Sequence, residues 1–597
     1  MKRLVLLLLV AAGCTPAVVD PPAPFGAVPS PGQVEWQRQE LIMFYHFGPS
    51  TFSGLTGENA TNRYGADELV DLFRPTAVDA DQWVRVAAET GFREVILTAK
   101  HHDGFSLWPN PHSICNVSLC QEPYNVDIVG ALSEACAKYG LNLGLYLSPW
   151  DKNDPAFGTV EYNDHYVDAL TSLLDGRYGK VSEFWFDGNG ANRSPYDFDL
   201  FNATVLGFNP DCVIFSNVGP GCRWVGNEEG VASETSWSAY SPSRYGAVHG
   251  SLPGDYAKYL GEGDADGEFW IPAETDLSIR PIADANGWFW GPGETTKSAR
   301  ELLRIYYNSV GRNSIMLLNV PPTTDGVLDP ADVRALEQFK YLRDQVFSTN
   351  LASDAVATAS AVRGDKYSPS RLLDGNFDNY YAAPDGVTDV TLEFTLPAFR
   401  TFNRLMLQEY IPLGQRVSSF SIEVLTGDSW EPWGDGTMTT IGYKRIILGA
   451  PVTASAVRVH LKALACPVLN GFGLYYDPFT DIPEYTLGPD GTVDIGEVDG
   501  DAGPFTFRVV IPNSFTSGLT PSGAQVHCGC TSVAVRQAPV APGEDEIVTI
   551  TYNPILPAGF RETVDLEYTP DSATRERKIV FVGETVFADE NALSVTD

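Results

Sequence analysis

Two histidines, a lysine and an aspartate stand together directly after an apolar run of the chain. The run covers residues 95–99, and its composition is typical of a buried strand in a parallel sheet. Four polar side chains would then lie at the carboxyl end of this strand: Lys100, His101, His102 and Asp103. Ligands of α/β barrels and open α/β sheets bind at that end. We therefore predict a pocket whose donors and acceptors suit a polyhydroxylated ligand.

A helix-capping loop and a metal site are the two other interpretations of the same residues. Neighbouring side chains on an extended chain point to opposite sides, so His101 and His102 do not easily hold one ion. No CxxC…CxxC zinc spacing occurs in the sequence. We therefore expect no metal.

Chemically active groups also follow the other apolar runs in the first half of the chain. His46 follows the run at residues 41–45, and Asp187 follows the run at residues 181–186. The segment at residues 146–151 places aromatic and polar groups after the third run. The ends of parallel strands meet at one rim, so we expect these groups to lie close together.

A carboxylate cluster, GNEEG at residues 226–230, lies in the loop expected after a fifth strand at residues 212–215. With Asp187 it supplies the two carboxylates that cleavage of a glycosidic bond requires. One attacks the anomeric carbon and the other protonates the leaving oxygen. Three aromatic rings could cover the apolar face of a sugar: Tyr146, Trp150 and Trp185.

The elements that must position these residues alternate between strand and helix from about residue 42 to about residue 343. Helices are predicted at residues 81–91, 127–139 and 166–174. Past about residue 349, short alternating strands with turn signals replace the helices. The predicted fold class is therefore α/β, with a (β/α)₈-type barrel as catalytic domain followed by two β-sandwich domains.

Length and charge limit the possible partners. The chain has 597 residues, too many for one ordinary domain, and its 44% hydrophobic and 19% charged residues are typical of a globular protein. The formal net charge of −36 repels nucleic acid and anionic membrane surfaces, so we expect neither as a partner through charge. A neutral substrate is little affected by this field.

The amino terminus predicts export. Two basic residues precede an apolar run at residues 4–10 that is too short to span a bilayer. The sequence AAGC at residues 11–14 then resembles a bacterial lipobox, with Cys14 as the acylated residue and a Pro-rich tether after it. We expect a lipoprotein anchored in the cell envelope, in the periplasm or at the cell surface. The alternative is an ordinary secretory signal with an incidental cysteine.

Eight cysteines besides Cys14 could pair in an oxidising compartment. Cys115 with Cys120, and Cys212 with Cys222, are close enough in sequence to close small loops. Connectivity does not follow from sequence alone and stays open.

Six segments together resemble, in the right order, the α-L-fucosidases of glycoside hydrolase family 29. They are residues 93–105 (REVILTAKHHDGF), 143–153 (LGLYLSPWDKN), 184–188 (FWFDG), 223–230 (RWVGNEEG), 272–280 (PAETDLSIR) and 309–322 (SVGRNSIMLLNVPP). The SPWD and GNEEG forms resemble the branch that cleaves α-1,3 and α-1,4 fucosyl linkages. The resemblance implies a retaining hydrolase of fucosylated glycans that uses no cofactor.

The resemblance also implies roles for single residues. Asp187 would be the nucleophile and Glu228 the acid/base. The predicted substrate-binding residues are His46, His101, His102, Tyr146, Trp150, Trp185, Glu274 and Trp288.

The acid/base has alternatives, because only geometry identifies such a group. Glu229, Glu234 and Glu274 all lie in or near motif-like segments. In addition, family members often carry a Glu-Trp pair after the first strand, and this chain has none at residues 61–65. Glu58 or Tyr64 could take over that contact.

The segment from residue 351 to 478 resembles a discoidin-like (F5/8 type C) β-sandwich, on the motifs at residues 372–375, 440–445 and 457–459. Four of its aromatic residues could bind sugar or could be structural: Tyr380, Tyr381, Trp430 and Trp433.

The last unit resembles small immunoglobulin-like domains of bacterial envelope proteins, on the sequences HCGCT at residues 527–531 and APGE at 541–544. Cys528 and Cys530 with one histidine are too few ligands for a zinc site. We expect a structural or spacing role.

These interpretations divide the chain into a signal peptide, a tether, the barrel, the discoidin-like domain and the immunoglobulin-like domain, at residues 1–13, 14–34, 35–348, 349–478 and 484–597. Two other functions remain possible from the sequence. One is a carbohydrate-binding lipoprotein with a non-catalytic barrel, and the other is a glycosidase for another L-sugar. The oligomeric state stays open.

Overall fold

The computed structural model describes residues 19–55, 60–187, 194–216, 220–245, 260–282, 287–480, 482–511, 520–535, 539–540, 546–568 and 577–587. Cys14 and Glu58 lie outside these ranges. In the described part of the chain, no helix combines the length and the apolar composition needed to cross a membrane.

The first domain contains a closed barrel of eight parallel strands, which confirms the predicted barrel. Its strands are almost fully buried, because helices cover them outside and side chains fill the interior. In chain order the strands are β1 (Leu41–Tyr45), β2 (Glu94–Lys100), β3 (Asn142–Leu147), β4 (Val181–Trp185), β5 (Val213–Ser216), β6 (Cys222–Trp224), the short antiparallel pair β7 (Ala239–Tyr240) and β8 (Phe269–Trp270) outside the barrel, β9 (Ala273–Ser278) and β10 (Ser314–Asn319).

The α-helices of this domain whose bounds lie within the described residues are α1 (Pro31–Gln39), α2 (Pro49–Phe52), α3 (Ala66–Leu72), α4 (Ala80–Glu89), α5 (Ile128–Tyr139), α6 (Tyr162–Leu174), α7 (Phe198–Phe208), α8 (Pro242–Tyr245), α9 (Ala299–Asn308) and α10 (Pro330–Phe347). Asp79 caps α4 by accepting a hydrogen bond from the amide of Gln82 at 2.9 Å. Asp127 caps α5, and Gly140 ends it in the left-handed conformation. α6 begins four residues before the predicted start, where no side-chain cap marks its first turn.

The short strand β6 was not predicted. It follows β5 directly, and among the residues described between the two strands there is no helix. Its three residues are too few to give a periodic sequence signal. The carboxylate cluster at residues 226–230 therefore follows the sixth barrel strand, and the prediction that it follows the fifth is wrong.

The second domain is antiparallel, apart from short helical turns. Its strands are β11 (Val356–Ala359), β12 (Tyr381–Ala382), β13 (Asp389–Glu409), β14 (Val417–Thr426), β15 (Ser429–Pro432), β16 (Arg445–Ala463) and β17 (Val468–Tyr475). Trp433 packs against Phe402 with 5.2 Å between ring centroids, and the Tyr381 hydroxyl donates to the Ala361 carbonyl. Both side chains belong to the core, whereas Trp430 and Tyr380 are partly exposed.

The third domain has two four-stranded sheets around one core. The first sheet has the order β18 (Glu484–Thr486), β20 (Phe505–Ile511), β23 (Glu546–Tyr552) and β22 (Thr531–Ala534), and the second has the order β19 (Thr492–Asp499), β25 (Arg577–Val586), β24 (Gly559–Tyr568) and β21 (Pro521–Val526). Buried residues alternate along β23, as expected for a sheet with one face on a core. The predicted second sandwich is thus present.

Hydrogen bonds join the barrel to the second domain through the loop after β6. The amide of Ser236 donates to Thr440 Oγ1 at 2.8 Å, and the amide of Ser238 donates to Gln415 Oε1 at 2.7 Å. Gln415 Nε2 in turn donates to the Ser236 carbonyl at 3.0 Å. All four residues are buried, so these hydrogen bonds satisfy polar groups that water does not reach between the two domains.

Cys528 and Cys530 form a disulfide across a single intervening residue. Among the cysteines that the structure describes, six are buried free thiols: Cys115, Cys120, Cys136, Cys212, Cys222 and Cys466. The two small loops considered from the sequence are therefore not closed by disulfides.

Candidate active site

Asp187 lies at the carboxyl end of β4, at the rim of the barrel. The hydroxyl of Tyr146, from the neighbouring strand β3, donates to Asp187 Oδ2 at 2.8 Å. His102 Nε2 lies 3.6 Å from the same oxygen. Three adjacent strands thus bring together residues that are far apart in sequence, with the carboxylate only partly exposed.

His102 is held in place from two sides. Its Nδ1 lies 2.6 Å from the Ser148 hydroxyl, and its ring stacks on Trp150 with 4.9 Å between centroids. Ser148 and Trp150 both belong to the SPWD motif after β3. The motif therefore orients the histidine so that its other nitrogen faces Asp187.

His46 and His101 line the same rim and are buried. His46 Nδ1 lies 3.0 Å from Asn319 Oδ1, and its ring stacks on Trp288 with 5.1 Å between centroids. Burial lowers the pKa of His46 to about 3 and brings the pKa of His101 well below its ordinary value. Both rings are therefore neutral at physiological pH and can exchange hydrogen bonds with uncharged hydroxyl groups.

Glu228 lies in a tight turn that Asn227 organises. The amide nitrogen of the Asn227 side chain donates to the Val231 carbonyl at 2.8 Å. Its oxygen accepts from the backbone amides of Glu229 and Val231, at 3.1 and 3.3 Å. One side chain thus satisfies three backbone groups and fixes the turn that presents Glu228.

The same turn is attached to strand β9 of the barrel. The amide of Gly230 donates to the Asp276 carbonyl at 3.1 Å. Gly230 has a φ of +72°, and a Cβ at this position would lie 2.8 Å from a methyl group of Ile305. Only glycine fits both the conformation and the space, so the sequence GNEEG sets the position of Glu228.

The environment of Glu228 suits a proton donor. Burial and the negative charge of Asp187 raise its pKa, and a hydrogen bond with the Trp288 side chain acts in the opposite direction. Glu228 remains accessible to solvent at the rim. Its carboxyl group is therefore open to solvent and keeps its proton to a higher pH than an ordinary glutamate does.

Glu274, predicted as a substrate contact and weighed as an alternative acid, lies in the barrel interior with no exposed surface. Its Oε1 accepts from Trp185 Nε1 at 2.8 Å, and it shares a hydrogen bond with Glu183. Burial raises the pKa of Glu274 to about 7. This position beneath Trp185 supports neither direct sugar contact nor proton donation to a leaving group.

The other two alternatives, Glu234 and Glu229, contact other parts of the molecule. Glu234 Oε2 accepts from the backbone amide of Thr437 at 2.8 Å, in the interface with the second domain. Glu229 forms a backbone bridge with Leu277. The charge of Asp187 raises the pKa of Glu228, so these two carboxylates lie close enough to interact.

Asp276 is a polar residue of the site that sequence reasoning missed. Its Oδ1 accepts from Trp224 Nε1 at 2.9 Å, and its side chain is buried. Burial and then the charge of Glu228 raise its pKa well above the ordinary value. Glu274, Asp276 and Ser278 occupy alternate positions of β9 and therefore lie on the same face of that strand, and this spacing was the available sequence signal.

The first motif divides into two parts in the structure. Lys100 Nζ lies 2.9 Å from Asp151 Oδ2 in a buried ion pair, and Asp103 accepts from the Thr61 hydroxyl at 3.0 Å. His101 and His102 face the site, whereas Lys100 and Asp103 support the loops around it. The prediction that all four side chains are available to a ligand is therefore wrong.

His101, His102 and Asp187 offer possible metal-ligand atoms within 4.8 Å of one another. Ser148 bonds to His102 and Tyr146 bonds to Asp187, which links these residues into a hydrogen-bond network around one carboxylate. Such a network suits sugar hydroxyl groups. That the site needs neither metal nor cofactor stays a prediction.

A barrel whose rim carries two carboxylates, one with a raised pKa, among aromatic and neutral histidine side chains defines a glycoside hydrolase. Comparison with known families agrees. The profile of the α-L-fucosidase family matches residues 25–344, that of the F5/8 type C domain residues 356–473, and that of a protein of unknown function (DUF1573) residues 489–584.

Individual relatives agree with the family match. A putative α-L-fucosidase 1 from Oryza sativa subsp. japonica is 41% identical and spans 80% of this chain and 90% of the relative. A putative α-L-fucosidase structure from Bacteroides thetaiotaomicron is 37% identical, with a TM-score of 0.69, over 76% of this chain and 99% of that one. A GH29 fucosidase from Ruminococcus gnavus in complex with fucose is 29% identical, with a TM-score of 0.69, over 77% and 96%.

The chain therefore belongs to the α-L-fucosidase family of glycoside hydrolases and is an enzyme. The alternative of a non-catalytic, sugar-binding barrel is set aside on this ground. The resemblance of the second domain to F5/8 type C modules is confirmed, while the third domain matches a family without an assigned function.

Proposed function

We propose that this enzyme removes terminal α-1,3- and α-1,4-linked L-fucose from oligosaccharides or glycoconjugates with retention of configuration. Asp187 is the nucleophile and Glu228 is the acid and base. The observation that carries the proposal is the electrostatic pairing of these two groups at one barrel rim, where the charge of Asp187 helps to raise the pKa of Glu228.

In the first step, an oxygen of Asp187 attacks the anomeric carbon, and the bond between that carbon and the leaving oxygen breaks. Glu228 gives its proton to the leaving oxygen, which departs as an alcohol. Tyr146 keeps the Asp187 carboxylate oriented through its 2.8 Å hydrogen bond. A fucosyl ester on Asp187 is the product of this step.

The ester removes the negative charge of Asp187, and this change prepares the second step. The pKa of Glu228 falls, because the like charge that helped to raise it is gone. Glu228 then accepts a proton from water, which attacks the anomeric carbon and breaks the ester. Fucose leaves, and both carboxylates return to their starting states.

Fucose itself would be held by neutral groups and aromatic surfaces. The uncharged histidines match hydroxyl groups that act both as donors and as acceptors. The side chains around Asp187 that we assign to this contact are His46, His101, His102, Tyr146, Trp150 and Trp288.

The catalytic assignment is tested with two substitutions and two substrates. Asp187→Ala should abolish turnover of every substrate, because no covalent intermediate can form. Glu228→Ala should slow natural glycans far more than an aryl fucoside with an acidic phenol, whose leaving group needs no proton. Added azide should partly restore the second step in Glu228→Ala. Near wild-type turnover of a natural glycan by Glu228→Ala would remove Glu228 from the acid role.

The linkage preference rests on the SPWD and GNEEG forms of the two rim motifs. Release of fucose from Lewis-type trisaccharides should be faster than from an α-1,2-linked substrate or a simple aryl fucoside. Binding energy from a neighbouring galactose can then be used at the reacting centre. Equal or faster cleavage of the α-1,2 linkage would contradict this preference.

We also propose that the protein is exported and held in the cell envelope by lipid on Cys14, with a tether before the barrel and with the second and third domains at residues 349–478 and 484–597. Since α1 already begins at Pro31, the first domain starts before the predicted limit of residue 35. The sequence AAGC at residues 11–14 supports this placement. The full-length protein should partition with membranes of a bacterial host, and Cys14→Ala should release it. Fully soluble wild-type protein in the periplasm would contradict the anchor.

A further inference from the structure

The disulfide between Cys528 and Cys530 lies in the third domain, at the crossing between its two sheets. β21 ends at Val526 in one sheet, and β22 begins at Thr531 in the other. Both cysteines are partly exposed, and a Cβ added at Gly529 would touch nothing within 4 Å. The bridge therefore stands in an open turn that a small molecule or another chain can reach.

A bridge of this kind contributes little to stability. The stabilisation that a disulfide gives by restricting the unfolded chain grows with the length of the loop it closes. Here the two cysteines are only two positions apart. The domain already has its own core, in which Phe507, Val548 and Phe581 are buried. A structural role thus does not explain the bridge.

Two features of the turn suit exchange chemistry. The backbone amide of Cys530 lies 3.0 Å from Cys528 Sγ, in position to donate a hydrogen bond to that sulfur. Such a bond stabilises a thiolate on Cys528, so Cys528 leaves readily once the sulfur of a partner is bound to it. Cys530 packs against the core of the domain, which leaves Cys528 as the sulfur that faces a partner.

We propose that Cys528 and Cys530 form a thiol–disulfide exchange site whose partners are dithiols. A thiolate of the dithiol attacks Cys528 Sγ, the bond between the two cysteines breaks, and Cys530 leaves as a thiolate. The second thiol of the dithiol then attacks the sulfur bound to Cys528 and releases the Cys528 thiolate. The cysteine pair gains two electrons, and the dithiol becomes a disulfide.

Glu562 offers a means to separate this chemistry from structure. A carboxylate oxygen of Glu562 lies within 4.8 Å of both sulfurs. Its negative charge disfavours a thiolate there and repels an incoming one. Glu562→Gln should therefore speed reduction several-fold, whereas a bridge that is reduced only after the domain unfolds would be reduced at an unchanged rate.

The test uses the native full-length chain with dithiothreitol and with mixtures of reduced and oxidised glutathione. Free thiols are alkylated, and mass spectrometry then measures the alkylation of the peptide that contains residues 528–530. The pair should open and close reversibly without unfolding, while the buried thiols Cys115 and Cys466 stay unmodified. Opening that requires denaturant would overturn the proposal.

The single-cysteine variants test the direction of attack. Cys530→Ser should accumulate a mixed disulfide between glutathione and Cys528, and Cys528→Ser should do so much more slowly. Equal trapping would overturn the assigned order. The double variant should keep the melting temperature of the third domain. A large decrease in the melting temperature of the double variant would overturn the exchange role. Binding of zinc or copper by the reduced pair together with Glu562 would overturn it as well.

Discussion

Replacing Trp288 by phenylalanine tests directly whether Glu228 is the proton donor. The Trp288 side chain hydrogen-bonds with the Glu228 carboxylate, and this contact keeps the pKa of Glu228 lower than burial and the charge of Asp187 alone would set it. Trp288 also stacks on His46. Phenylalanine keeps an aromatic ring beside His46 and removes the N–H donor, so the pKa of Glu228 should rise.

The size of this rise follows from the exposure of the carboxylate. A hydrogen bond to a charged group contributes about 1.5–3 kcal/mol when it is shielded from water. Glu228 is solvent-accessible at the rim, so water competes for it and about 1 kcal/mol is the appropriate figure. Since one pKa unit corresponds to about 1.4 kcal/mol, the pKa should rise by about 0.7 unit.

The assay is the pH profile of kcat/KM on a natural glycan, whose leaving group needs a proton. Its alkaline limb reports the pKa of the acid in the free enzyme and should move up by about 0.5–1 unit in Trp288→Phe. Trp290→Phe is the matched control, because its indole donates to Asp329 at 3.1 Å. An alkaline limb that stays in place or moves down in Trp288→Phe would refute Glu228 as the acid.

Three further changes test other contacts. Tyr146→Phe removes the hydroxyl 2.8 Å from Asp187 and should lower kcat on an aryl fucoside about 10- to 100-fold without changing the fold; a rate within about twofold of wild type would contradict that role. Gly230→Ala places a Cβ 2.8 Å from Ile305, so the turn should shift and the hydrolysis of natural glycans should slow more than that of aryl fucosides. Equal slowing of both substrates would contradict the claim that this turn positions Glu228. Burial raises the pKa values of Glu274 and of Glu183, with which it shares a hydrogen bond, so the stabilisation from the protonated pair is complete below an unfolded pKa near 4.5 and is lost as pH rises through the raised pKa values. Glu274→Gln should therefore show a smaller fall in calorimetric melting temperature from about pH 5 to about pH 8, and equal slopes would contradict this.

The barrel and the position of Asp187 could be predicted because their signals are local. The run at residues 181–186, which ends in three aromatic residues, indicates a strand, and the polar residue that follows it, Asp187, then lies at the carboxyl end of that strand. Helix caps such as Asp127 and Gly140 marked one helix to within a residue.

The rest depended on contacts between distant segments. Lys100 lies with the histidines in sequence, but its partner Asp151 draws it into a buried ion pair. Glu274 and Glu228 both follow motif-like residues, yet one points into the barrel and the other lies at its rim. The three-residue strand β6 pairs with β9 about 50 positions later, a contact that local periodicity does not report.

The loop after β6 limits how this enzyme can be recombined with others. The segment that begins at Glu228 continues into Ser236 and Ser238, whose backbone groups bond to Thr440 and Gln415 of the second domain. A chimaera that takes its second domain from a relative must supply matching donors and acceptors at these two positions. Without them, buried backbone groups of the barrel lose their partners. The two domains are therefore best transplanted as one unit, although each has its own core.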